Sequence, residues 1–306
     1  MRVDPSYITN LVSALDTAQG NEEQYSSELS SGVRVTSLST DPVAAGENVL
    51  LLNQIQQDDS YSQSASEVTG QLQVGDSALG SVITQLTDAI SLATSANNGT
   101  LNASQVNAIG SQLEGIRGEV VQLANTSYQG QYIFAGAATS TQPFDTNGNY
   151  TVTAAEGGQT ANYLVTPNNQ SIQLNVPGSQ IFNGGGNSAV SVFGALNALI
   201  SDYTSVSSSS SLNTTEAVTD TNTLNAALNW VSQQRVTIDN SINQISASSS
   251  AASSEAMQLT SAQTNLMQAD VGQVSTQLSL AETQQTALED TIAQLGSGSL
   301  FDKLQY

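Results

Sequence analysis

Residues 271–295 read VGQVSTQLSLAETQQTALEDTIAQL, and a similar stretch at residues 8–29 reads ITNLVSALDTAQGNEEQYSSEL. In both stretches, apolar residues recur in alternating steps of three and four, the spacing of a helix that packs along one narrow seam against a partner. Polar residues such as Glu22 and Gln285 interrupt the two seams. Neither helix is therefore expected to be stable alone.

Two such stretches at opposite ends predict a chain that folds back on itself and pairs its terminal helices as an antiparallel coiled coil. We interpret the seams as an assembly surface that is completed by other subunits. An intramolecular clasp explains the same spacing. Arg34 follows the first helix and is a candidate for fixing a joint or for an inter-subunit salt bridge. The candidate assembly residues are Ile8, Leu11, Leu15, Tyr25, Leu29, Arg34, Val271, Val274, Leu278, Leu288, Ile292 and Leu295.

The composition favours long helices over one large core. Hydrophobic residues make up 38% of the 306 residues and aromatic residues only 5%, which is low for a globular chain. The formal net charge is −21, from 26 acidic and five basic residues. Nucleic acid and anionic membranes are therefore excluded as partners, because few basic groups are available to neutralise phosphates.

The residue types also exclude most catalytic chemistry. The chain contains no cysteine and no histidine, so disulfides, thiolate or imidazole metal sites and histidine acid–base catalysis are ruled out. A serine nucleophile would need a base, and the one lysine is Lys303 in the tail. We therefore predict a protein that is not an enzyme and that needs no cofactor or metal.

Turn and cap residues divide the helical regions. A first helix is predicted from Pro5 or Ser6 to Ser30, with Gly32 ending it. Asp41 and Pro42 start a second helix that extends to about Ala96, a rod of roughly 80 Å. A third helix carries apolar positions from Val106 to Leu123, and a further long helix starts near residue 213 or 214. Residues 246–254 are small and polar, and the pattern leaves open whether they are helical or a loosened joint.

Between the helices the pattern changes to short strands. Strands are predicted at 132–134, 150–153, 163–165 and 172–176, separated by Asn-Gly, Gly-Gly and Pro-Gly turns. A short helix is expected at 189–200. The segment Asp145-Thr146-Asn147-Gly148-Asn149 begins like a calcium loop, but the later acidic ligand is missing and a turn is the preferred interpretation. Trp230 is expected to pack against a neighbouring helix.

The element order predicts a mainly α fold with a small β module. We expect an elongated rod with three domains: a terminal coiled-coil domain (1–40 and 255–306), a helical rod domain (41–135 and 190–254) and a small β domain at the distal tip (136–189). The beginning of the chain lacks the apolar run of a signal peptide.

Three motifs resemble the flagellin superfamily of bacterial flagellar axial proteins. The first is LSSGVRV at 29–35 followed by STDPVAA at 39–45. The second is QLANT at 122–126 with GQYIFAG at 130–136, and the third is the tail SLFDKL at 299–304. The Asp-Pro-Val-Ala form is more similar to the hook–filament junction type (hook-associated protein 3) than to filament flagellins. Val33 departs from the family, which often has a basic residue there.

The resemblance implies a structural subunit that forms a ring with its own copies between hook-associated protein 1 and flagellin. It further implies an extracellular place in the flagellum, export through the flagellar type III pathway without a cleaved signal peptide, and an export chaperone that holds the C-terminal helix. Two alternatives are a filament-forming flagellin and, in another class, an acidic secreted adhesin or calcium-binding protein.

Overall fold

The computed structural model describes residues 5–97, 101–206 and 212–297. Four parts of the chain lie outside this description: the tail motif at 299–304, residues 207–211, residues 98–100 between the second and third predicted helices, and the side chain of Leu295. The helices are α1 (Pro5–Ser31), α2 (Pro42–Ala96), α3 (Ala103–Ala124), α4 (Gly178–Phe182), α5 (Val192–Thr204), α6 (Thr214–Met267) and α7 (Val271–Ser297). The strands are β1 (Ser127–Tyr128), β2 (Gln131–Tyr132), β3 (Tyr163–Val165) and β4 (Ser171–Gln173).

The chain divides into two compact units. One contains residues 1–57 and 255–306, and we call it the terminal unit. The other contains residues 58–254, and we call it the central unit. The mainly helical prediction with a small β module is confirmed, and α2 has the predicted bounds.

The large apolar core belongs to the central unit. Its described buried members all lie between Tyr61 and Ala252 and come from α2, α3, α5, α6 and the β module. Four phenylalanine rings join the β module to α5 within this core, with ring centroids 5.2 Å apart for Phe144 and Phe193 and 5.5 Å apart for Phe134 and Phe182. The β module is therefore stabilised by a core that it shares with helices.

The β module has less regular strand than the sequence predicts. Each of its two antiparallel hairpins is short, with β1 paired to β2 and β3 paired to β4. The predicted strand at 132–134 is wrong beyond Tyr132, because Ile133 and Phe134 are buried in a turn. The predicted strand at 150–153 is reduced to one bridge between Tyr150 and Phe144.

Side-chain hydrogen bonds end the remaining elements. The predicted alternation at 172–176 ends as a strand at Gln173, and the Asn175 side chain then binds the backbone of Asn162 and Gly136. The short helix starts at Val192 and not at residue 189, because the Ser191 hydroxyl caps it by accepting from the Gly194 N–H at 3.1 Å. Polar caps, which apolar periodicity does not detect, set these boundaries.

The small polar segment at 246–254 is helical and lies inside α6. Ala252 is buried there, and the serine hydroxyls of Ser250 and Ser254 bond to carbonyls one turn earlier. Helix α6 ends at Met267 and α7 begins at Val271. Asp270 causes the restart, since its Oδ1 accepts from the N–H groups of Gly272 and Gln273.

Candidate assembly surface

The terminal unit is built on the pairing of α1 with α7. The carbonyl of Gly32, just after α1, accepts from the N–H of Ala269, just before α7, at 2.9 Å. The end of α1 therefore lies beside the start of α7, and the two helices run antiparallel, as the sequence predicts.

Most predicted seam residues lie at this helix pair. Ala18, Val274 and Ala281 are buried. The half-buried seam residues are Leu11, Leu15, Tyr25, Leu278, Leu288 and Ile292. The period of three and four thus marks the contact between the two helices of one chain. The role of these residues between subunits stays a prediction.

Three predicted assembly residues are exposed instead. Ile8 is 46% exposed, Leu29 38% and Val271 57%. They lie at the ends of the helices, where the partner helix covers less of each side chain. Exposed apolar side chains of this size are available to a neighbouring subunit.

A short backbone bridge joins the end of α1 to the break between α6 and α7. Val33 pairs with Gln268 in an antiparallel bridge, and the N–H of Arg34 donates to the carbonyl of Met267 at 2.6 Å. Gly32 permits the turn because its φ is +69°, a left-handed conformation that favours glycine. We call residues 32–41 and 266–270 the joint.

Arg34 ties three parts of the joint together. Its Nη1 lies 3.1 Å from Oδ2 of Asp41, and its Nη2 donates to the carbonyl of Leu266 at 3.3 Å. Asp41 also caps α2, since its Oδ1 accepts from the N–H of Ala44 at 3.0 Å. The Ala44 hydrogen bond and then the Arg34 guanidinium lower the pKa of Asp41. The structure therefore places Arg34 in an ion pair inside its own chain.

Sequence periodicity missed a second exposed apolar group in the terminal unit. It includes Leu38 (70% exposed), Val43 (79%), Leu50 (70%), Met257 (64%) and Leu280 (58%). A signal was present in the run Val49-Leu50-Leu51-Leu52, because four successive apolar residues on a helix cannot all face one seam. These exposed side chains are further candidates for contact with other proteins.

The other residues that the sequence analysis considered have structural roles. Oδ1 of Asp145 accepts from the N–H groups of Asn147 and Asn149, both at 2.8 Å, and Oδ2 accepts from the Asn149 side chain. These bonds lower the pKa of Asp145, the largest effect being that of the Asn149 side chain. Both carboxylate oxygens thus stabilise the turn that was preferred over a calcium loop.

Trp230 meets a short helix of the β module, as its Nε1 donates to the carbonyl of Gln180 on α4 at 2.8 Å. Within residues 5–97, 101–206 and 212–297, acidic side chains do not gather in a group of three that could hold a metal ion. In the same ranges, every helix is too short or too polar to cross a lipid bilayer.

Residues 7–139 match the family model for the bacterial flagellin N-terminal helical region. This part of the chain is similar to the flagellin N-terminal helical region. It includes nearly all of α1, the first part of the joint, α2, α3 and the β1–β2 hairpin. The first two sequence motifs lie within the matched residues, in agreement with the resemblance to the flagellin superfamily.

A curated relative adds to the match. The chain is 31% identical over 174 residues to flagellar hook-associated protein 3 of Salmonella typhimurium, an alignment that covers 56% of this chain and 53% of the relative. The chain thus spans about half the length of the curated relative that it matches.

Two solved structures share the fold over about three quarters of this chain. A protein from Vibrio parahaemolyticus described as a flagellar hook-associated protein superposes with a TM-score of 0.64 at 19% identity, over 75% of this chain and 100% of that chain. The flagellar junction protein FlgL from Legionella pneumophila superposes with a TM-score of 0.55 at 14% identity, over 73% of this chain and 100% of that chain. At these identities the likeness establishes the fold alone.

Proposed function

We propose that this protein is a non-enzymatic structural subunit of the bacterial flagellum that joins the hook to the filament. The observation that carries the proposal is the 31% identity over 174 residues to flagellar hook-associated protein 3. The exposed apolar side chains of the terminal unit support an assembly role, since a subunit in a tube needs apolar surface that neighbours cover.

In this proposal the terminal unit supplies the contacts with other subunits. The exposed residues Ile8, Leu29 and Val271, with Leu38 and Val43, are the first candidates. The half-buried seam residues contribute by holding α1 against α7 in the shape that neighbours recognise. The proposed neighbours are copies of the same chain in a ring, hook-associated protein 1 on one side and flagellin on the other.

The same proposal covers export and domain organisation. The chain leaves the cell through the flagellar type III pathway without a cleaved signal peptide, and an export chaperone covers the C-terminal helix before export. The proposed domains are a coiled-coil domain (1–40 and 255–306) that makes the contacts with other subunits, a helical domain (41–135 and 190–254) and a β domain (136–189).

Deletion of the gene in the native bacterium tests the proposal. The deleted strain should keep its hooks, lose attached filaments and release flagellin into the medium, and the intact gene should restore filaments. Immunogold electron microscopy of the restored strain should label one band where hook and filament meet.

Two outcomes would contradict the proposal. Gold label along the full length of the filament, together with long polymers of purified protein grown from filament seeds, would identify a filament flagellin. Normal attached filaments in the deleted strain would exclude a role at the junction.

A further inference from the structure

The central unit contains a cleft of about 720 Å³ between loops of the β module and helix α6. Trp230 of α6 lines one side of the cleft, and residues 153–154 and 184–186 line others. The volume is within the range of sites that hold small organic ligands or a few sugar rings. The assembly role proposed above does not use this cleft.

The indole of Trp230 is held in a fixed position. Its Nε1 donates to the carbonyl of Gln180 at 2.8 Å, and the ring is half-buried. Because its one donor is already bonded, only carbon atoms of the ring remain to contact a ligand in the cleft. An aromatic face is electron-rich and attracts the weakly positive C–H groups of a ligand that stacks on it.

The polar groups of the cleft carry no formal charge. Three side-chain amides line it, those of Gln159, Gln180 and Asn183. In the part of the chain that the structure describes, these amides make no intramolecular hydrogen bond. Each can therefore both donate to and accept from a ligand.

The remaining lining is also neutral. Burial raises the pKa of Tyr150 to about 12, so its phenol stays protonated, and its hydroxyl donates to the carbonyl of Gly158. The Thr153 hydroxyl donates to Glu156, whose own side chain is not part of the described lining. Although the chain has 26 acidic residues, Asp, Glu, Lys and Arg are all missing from the described residues that line this cleft.

We propose that the cleft binds a neutral oligosaccharide. A sugar ring has an apolar C–H face that fits the Trp230 indole and a rim of hydroxyls that both donate and accept, as the three free amides do. A charged ligand would lose its hydration without finding an ionic partner in the cleft. Neutral sugars match both properties of the lining at once.

The test uses the intact protein and the fluorescence of Trp230, the single tryptophan of the chain. Maltotriose and triacetylchitotriose are the neutral probes, and 3′-sialyllactose is the acidic comparison. A neutral probe should shift the Trp230 emission to shorter wavelength in a saturable manner. Asn183→Ala and Gln159→Ala should each weaken binding by about threefold to tenfold, as expected for the loss of one ligand hydrogen bond.

Asn222→Ala is the matched control, because it removes an exposed amide from the same helix as Trp230 but outside the cleft. It should leave the affinity unchanged. Saturation-transfer NMR replaces fluorescence for the Trp230 variants: Trp230→Phe should retain weakened binding and Trp230→Ala should lose it. Circular dichroism melting identifies any variant that is unfolded.

Three results would overturn the proposal. The first is no saturable response to either neutral probe up to about 20 mM, a limit that corresponds to negligible affinity. The second is binding that Asn183→Ala and Asn222→Ala change equally. The third is binding of 3′-sialyllactose, or of an uncharged tripeptide, as tight as that of the neutral sugars.

Discussion

Replacing Leu278 with aspartate should destabilise the terminal unit and leave the stability of the central unit unchanged. Leu278 lies on the seam of α7 and is half-buried. The buried apolar residues of the α1–α7 pair are small ones, Ala18, Val274 and Ala281, so this helix pair has little stability to lose. We expect Leu278→Asp to open the pair and to leave the central unit folded.

The expected size of the effect follows from burial. A fully buried leucine contributes roughly 1.5–3 kcal/mol, so half-buried Leu278 contributes roughly 1 kcal/mol. A carboxylate that must lose part of its hydration at this seam costs roughly 1–2 kcal/mol more. The α1–α7 pair is therefore weakened by about 2–3 kcal/mol, which corresponds to roughly 30-fold to 150-fold more frequent opening.

Hydrogen exchange read by mass spectrometry measures this opening directly. Peptides from α1 and α7 should exchange faster by the factor above, and peptides from α3 should not change. Ser279→Asp is the matched control: it adds the same charge at the next position, which is exposed, and it should leave α1 exchange as in the parent. In cells, Leu278→Asp should also reduce incorporation into flagella.

Destabilisation of the central unit by Leu278→Asp would contradict this prediction. Equal acceleration of exchange in α3, or a large fall in the melting temperature of the main transition, would mean that the seam is part of one cooperative core. Equal effects of Leu278→Asp and Ser279→Asp would mean that charge, and not the seam, is responsible.

Three further predictions concern pH and packing. Arg34→Ala should raise the pKa of Asp41, which NMR titration measures. Because the pKa of Asp41 is below the ordinary 3.8 in the folded protein, the stabilising effect of this helix cap is present above pH 3.8. That effect is lost as the pH falls through the lowered pKa. Burial, and to a lesser extent neighbouring carboxylates, raises the pKa of Asp202 to about 6. Folding therefore favours the protonated carboxyl group, and the free energy of unfolding should fall as the pH rises from 4 through 6. Asp202→Asn should raise the free energy of unfolding at pH 7.5 by about 1–2 kcal/mol, allowing for partial exposure, and should flatten the pH profile of the melting temperature. Gly110→Ala should lower the free energy of unfolding, measured by urea titration, by about 1–3 kcal/mol, because the added Cβ would lie 2.8 Å from a side chain of α5. Gly115, on the same helix, has open space around it. Gly115→Ala should therefore raise the free energy of unfolding by up to about 1 kcal/mol.

Contradictory results would be specific for each of the three. If the pKa of Asp41 is the same in Arg34→Ala as in the parent, Arg34 does not form the ion pair with Asp41. A melting temperature that rises between pH 4 and pH 7 would reverse the sign assigned to Asp202. Equal effects of the two alanine substitutions on α3 would mean that helix propensity, and not the close approach of α5, dominates at Gly110.

The sequence predicted the long helices well because their signals are local. Gly32 ends α1, Asp41 and Pro42 start α2, and Asn213 caps α6 by accepting from the N–H of Glu216. Each signal consists of a few residues close together in the chain. The small β module was predicted less well, since Ile133 and Phe134 are apolar because they fill a core that includes distant helices, which strand periodicity cannot distinguish.

The candidate assembly residues were predicted only in part. Periodicity found the seam of α1 and α7, but a repeat of three and four is the same whether the partner helix belongs to the same chain or to another. The structure places the two seams against each other and leaves Ile8, Leu29 and Val271 exposed. It also identifies Leu38 and Val43 as exposed apolar residues, which lie outside any seam.

The amino-acid sequence by itself determined the terminal helices, their apolar seams and the flagellin-type motifs. Helix spacing, caps and short motifs each depend only on residues that are close together in sequence. Tertiary structure alone decided which apolar residues are covered, that Arg34 binds Asp41 within the chain, and that Trp230 lines an uncharged cleft. These features depend on groups that are far apart in sequence, such as Arg34 and the carbonyl of Leu266, and only the folded chain brings such groups together.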